Sequence, residues 1–160
     1  MIKTVKILWL IWLAVFLQSS MINIISPWGL IPNFMVMVIA LAGLKEGASS
    51  GVWTGLLVGF LADCYHPSTM GLFAFGGTVV GYLTGMARDR IYREQIISQA
   101  ALTAALALAY QLFVFFGRDG GALSSYPGYF IRFGLGGAVL TALIAALILP
   151  ALERWAYGKR

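Results

Sequence analysis

One short stretch gathers the side chains best suited to chemistry: Asp63, Cys64 and His66, three potential metal donors on what reads as a compact turn through Pro67 and Ser68. Structural and catalytic metal sites draw on a ligand set with definite spacing, and three unlike donors on one turn fall short of it. His66 is the only histidine and Cys64 the only cysteine, so an internal disulfide and a cysteine cluster are both excluded. The common catalytic signatures are missing too: HExxH, GxSxG, the P-loop and aspartate-rich phosphotransfer motifs do not occur. No acid, base and nucleophile converge. The expectation is a protein with no catalytic residues, no metal and no cofactor.

Asp63 keeps its interest for another reason. It stands four residues beyond Gly59, at the end of a line made by Gly47, Gly51, Gly55 and Gly59, and a second line follows at Gly77, Gly81 and Gly85. Small residues at this spacing let two apolar helices approach to backbone contact, which is how helices associate where the surroundings are as apolar as leucine. Glycine is otherwise a poor helix former, so these seven residues read as the packing surface of two neighbouring helices. A carboxylate continuing such a stripe faces protein. Three roles are open to Asp63: a pair with Arg132, hydrogen bonds to nearby backbone, or contact with a ligand or partner. Losing one member of a partly buried pair costs about 3 to 5 kcal/mol. Pro32, at the start of another apolar run, joins Asp63 and Arg132 as a candidate structural or partner contact.

The elements that position these residues are apolar nearly throughout. The chain of 160 residues is 60% hydrophobic and 11% charged, with a mean hydropathy of +0.85, which is far from soluble composition. Six apolar runs fill it, at about 7–25, 30–44, 47–62, 69–87, 95–116 and 129–149. Only helices satisfy their own backbone within such runs in a bilayer. The fold class expected is therefore an all-α integral membrane protein, one domain over 1–160, built as a compact bundle of six spans. The first run follows Lys3 and Lys6 like a signal sequence, but its length and the runs behind it mark a retained helix. Pro32 falls in the first turn of the second span, where a missing N–H costs little, and Pro150 stops the sixth. Alanine and glycine repeat the four-residue spacing at Ala101, Ala105 and Ala109 and at Gly134, Ala138, Ala142 and Ala146.

The net charge of +5 does not point to nucleic acid, because the basic residues cluster at span ends. With the N-terminus inside, Lys3, Lys6, Lys45, Arg88, Arg90, Arg93, Arg154, Lys159 and Arg160 lie on the cytoplasmic side, leaving Arg118 and Arg132 outside. That asymmetry places both termini in the cytoplasm. The loop carrying Arg88, Arg90 and Arg93 is what orientation alone requires, with a headgroup or protein contact as the other reading.

Taken in order, Pro32 and Asn33, the block Gly55, Leu56, Leu57, Val58, Gly59, Phe60, Leu61, Ala62, Asp63, and then Met70, Gly71, Leu72 and Phe73 resemble the bacterial rod shape-determining protein MreD family across essentially the whole chain. Asn33 departs from the acidic residue that the family pattern leads one to expect after the proline. The resemblance implies a bacterial inner-membrane scaffold without catalytic activity, working with the bitopic protein MreC, the actin-like MreB, and RodA with its penicillin-binding transpeptidase in peptidoglycan synthesis and cell-shape control. It also implies a fold similar to the six-helix substrate-binding subunits of energy-coupling-factor vitamin transporters. A true vitamin-binding subunit is the alternative function, and it would need an outward polar pocket near Gln18, Ser19, Ser20, Asn23, Asp63 and Arg132. Against it, the first span lacks the alanine pair at four-residue spacing expected of a coupling surface, since Ala14 is followed by Gln18.

Overall fold

The computed structural model describes residues 2–25, 32–88, 96–119 and 134–157, with side chains over 6–20, 32–88, 97–117 and 134–152 and at Trp155. Within these residues the chain is all-helical: α1 (Ile2–Ile25), α2 (Phe34–Glu46), α3 (Ala48–Tyr65), a 3-10 turn (Pro67–Thr69), α4 (Leu72–Ala87), α5 (Ile96–Asp119) and α6 (Gly136–Tyr157).

The bundle is built around α2. Every residue from Met35 to Leu44 is buried, and α2 touches each of the other five helices. A helix that is apolar on all sides has no face to offer water and belongs at the centre of its neighbours. The first charges after it, Lys45 and Glu46, arrive only at its end. Its 13 residues rise only about 20 Å.

Around that centre, α3 and α4 form the closest pair, an antiparallel hairpin. A methyl carbon on Gly55 would overlap the carbonyl oxygen of Gly77. One on Gly81 would overlap that of Gly51, one on Gly59 that of Phe73, and one on Gly85 the backbone of Ala48. Gly43 extends the contact to α2, where an added Cβ would stand 2.9 Å from Cβ of Thr84. Gly47 has a different job. It joins α2 to α3 with φ at +100°, a conformation that side chains with a Cβ resist. Gly71, at φ +93°, does the same before α4, which is why that helix begins at Leu72 rather than at 69.

Two prolines sit differently from expectation. Pro32 lies ahead of α2 and not in its first turn, because the side chain of Asn33 accepts from the Val36 N–H and makes Asn33 the cap. Pro150 does not end α6, which continues to Tyr157. Proline removes one N–H bond from a helix, and here the last turn is also held from outside: the Lys6 amine donates to the Trp155 carbonyl at 3.0 Å.

Among the described residues, most outward-facing side chains are apolar on every helix except α2. Trp9, Trp12 and Phe16 project from α1, Trp53 and Phe60 from α3, Phe75, Tyr82 and Met86 from α4, Ile97 and Phe116 from α5, and Val139, Leu143 and Leu147 from α6. Among the described residues, 97–117 of α5 forms the one helix both long and apolar enough to cross a bilayer unaided, and 6–20, 72–87 and 136–152 are shorter apolar helices.

Candidate functional site

Several of the bundle's polar side chains meet at helix ends. At one end lie Gln18 of α1, the start of α2, the end of α3, the start of α4 and the first turns of α6. The first four N–H groups of a helix have no partner within it, and in an apolar bundle they must be met by side chains.

Asp63 meets two of them for α4. The stripe that brings Gly59 against Phe73 carries the carboxylate one turn further, and it is almost wholly buried there. One oxygen accepts from the Phe73 N–H at 3.1 Å and the other from the Ala74 N–H at 2.9 Å. The residue at the cap position itself, Gly71, has no side chain to offer, so the cap is lent by the preceding helix. A carboxylate on a helix N-terminus gains from both the charge-assisted bonds and the helix dipole. Beside it, the His66 ring lies tilted at 5.2 Å from that of Phe73, which lies 6.4 Å from Tyr110 of α5. No group of three or more histidine, cysteine or acidic side chains placed to hold a metal occurs among the described residues. Cys64 is exposed.

The start of α2 is served by three side chains, its own cap and one each from α1 and α6. The Asn33 oxygen accepts from Val36 N–H at 3.1 Å, the Gln18 oxygen from Phe34 N–H at 3.0 Å, and the Thr141 hydroxyl from Asn33 N–H at 2.9 Å. Thr141 in turn donates to the Gly137 carbonyl at 2.6 Å. Asparagine and aspartate cap equally well, so the uncharged Asn33 meets the same backbone need that an acid would. Pro32 is buried next to it. The role of Thr141 left no mark in the sequence, since a threonine inside an apolar run bonds as readily to its own helix.

The opposite end carries the basic groups. The guanidinium of Arg88 sits beside Gly47, and its Nε is buried without a hydrogen bond. Ser50 donates to Glu46 at 2.5 Å. Lys6 stands 5.2 Å over the Trp155 ring, and Trp9 packs on the same ring at 6.2 Å. Arg132, Arg90 and Arg93 lie outside the described residues, as does the side chain of Asn23.

This arrangement, with mostly apolar side chains outward, a buried apolar helix at the centre and two helix starts capped by buried side chains, is that of a membrane bundle with no assembled reaction centre among the described residues. Residues 2–119 match the model of one protein family, described as rod shape-determining protein MreD. The chain belongs to the MreD family. The match takes in α1 to α5 and with them both capped helix starts, the glycine hairpin and Arg88. No curated protein and no solved structure matches the chain. Membership makes this a membrane protein involved in determining rod shape, as a structural component of that process.

Proposed function

We propose that the protein is a non-catalytic scaffold of the rod complex, a single domain of six membrane spans with both termini in the cytoplasm. It binds MreC and, with MreB, RodA and its penicillin-binding transpeptidase, supports peptidoglycan synthesis and cell-shape control. The observation that carries this reading is the family match over residues 2–119. The physical case agrees with it, because Asp63, Asn33, Gln18 and Thr141 are bonded to backbone within the bundle and the outward helix faces are mostly apolar. In this reading the glycines of α3 and α4 hold the bundle together, Asp63 and Pro32 fix helix ends, and Arg88, Arg90 and Arg93 anchor the cytoplasmic side. Arg132 remains a candidate contact on the outer side.

A vitamin carrier would need free polar groups in the outer half, and there Gln18, Asn33, Asp63 and Thr141 already serve α2 and α4. Affinity purification from a rod-shaped host decides the matter. Recovery of MreC with the tagged protein is the expected result. Recovery of a stoichiometric small vitamin without MreC would overturn it.

A further inference from the structure

We infer that the outward face of α1 is a pairing surface for α1 of a second copy of this chain, lying parallel to it. The inference rests on the membrane-bundle reading above, in which every copy has the same orientation. Trp9, Trp12 and Phe16 are each more than half exposed, and Ser19, partly exposed, continues their alternation of three and four residues. That spacing is the seam along which two parallel helices wind about each other, and most helices in bilayers cross at the same shallow angle. The opposite side of α1 is taken up by the bundle. Leu10, Ile11, Ala14 and Val15 are buried there, and Gln18 accepts from the Phe34 N–H.

The hydroxyls of Ser19 and Ser20 make no hydrogen bond among the described residues, whereas Thr78, Thr84, Thr103 and Thr141 each donate to a carbonyl of their own helix. Lys6, bonded to the end of α6 beside Trp9 and Trp155, marks the cytoplasmic boundary of α1. Ser19 stands about 20 Å along the helix from it, inside a hydrocarbon core about 30 Å thick. Acyl chains offer a hydroxyl nothing, and an unmet polar group there is costly. Two copies in one orientation pair through a two-fold axis along the membrane normal, which sets each seam residue beside its own counterpart at a single depth. A hydroxyl both donates and accepts, so the serines of one copy satisfy those of the other. Trp12 and Phe16, stacked at 5.6 Å, fill the seam below them.

Cysteine linking in isolated membranes tests this. In a Cys64→Ser background, Trp12→Cys, Phe16→Cys and Ser19→Cys lie on the seam, and Leu143→Cys lies on an exposed side of α6 as the control. Oxidation by copper phenanthroline is expected to link copies through at least one seam position and not through 143. Monomer at all three seam positions, or linking at 143 to the same extent, would overturn the pairing and leave the membrane bundle intact. Labelling of position 16 by an impermeant maleimide would contradict the bundle reading itself, and the pairing with it. The native seam can be tested without a new cysteine. Energy transfer between copies labelled at Cys64, in vesicles of dioleoyl phosphatidylcholine, should report dimers, and Ser19→Ala with Ser20→Ala should weaken them about tenfold. No transfer between native copies, or an unchanged dissociation constant in the double variant, would also overturn the pairing.

Discussion

Asp63 and Asn33 do related work in different ways, and substitution separates them. Replacing Asp63 with alanine strands two buried N–H groups and removes a charge that favours the start of α4. We expect a loss of about 2 to 4 kcal/mol, measured by unfolding in bicelles. Asn33→Asp keeps an acceptor in reach of Val36 and is expected to fall within about 0.5 kcal/mol of the native protein, whereas Asn33→Leu loses about 1 to 2 kcal/mol. Equal losses from the two Asn33 variants would show that the side chain does not act as a cap. That Asp63 faces protein is legible from its place at the end of the glycine line. The identity of its partners is not, because the N–H groups of Phe73 and Ala74 come within reach only through the antiparallel register of two helices.

Among the elements, the hairpin separates two uses of glycine that look alike in the chain. Gly55 has ordinary helical backbone and no space, since the Gly77 carbonyl occupies the place of a side chain, while Gly71 has open space and a left-handed backbone. Gly55→Ala should therefore cost about 1 to 3 kcal/mol by prying α3 from α4. Gly71→Asn should be nearly neutral while Gly71→Val is not, because asparagine tolerates that conformation and a β-branched residue resists it. The same unfolding measurement checks both, and a harmless Gly55→Ala would contradict the backbone contact. A four-residue period is readable as a line along one helix, but Gly47 belongs to the period and to a turn at once, and spacing cannot tell these apart. The central place of α2 is harder still to read. A short apolar run has the same composition whether lipid or protein surrounds it, and only the helices that enclose it decide.

For the whole molecule, charge asymmetry and outward apolar surface give a bundle whose orientation and contacts are open to direct test. With cysteines at Lys3, Ser125 and Lys159 in turn, in a Cys64→Ser background, an impermeant maleimide added to intact spheroplasts should label only position 125. Labelling of 3 or 159 instead would reverse the topology. A scaffold acts through the faces it presents, and α3 and α4 present exposed aromatic side chains at Trp53, Phe60 and Phe75. The most direct test of the scaffold role is photo-crosslinking in growing cells from Trp53, Phe60, Phe75 and Phe113, each replaced in turn by a photoreactive residue. The account predicts an adduct with MreC from at least one of these positions, and silence at all four while the complex is otherwise assembled would contradict it.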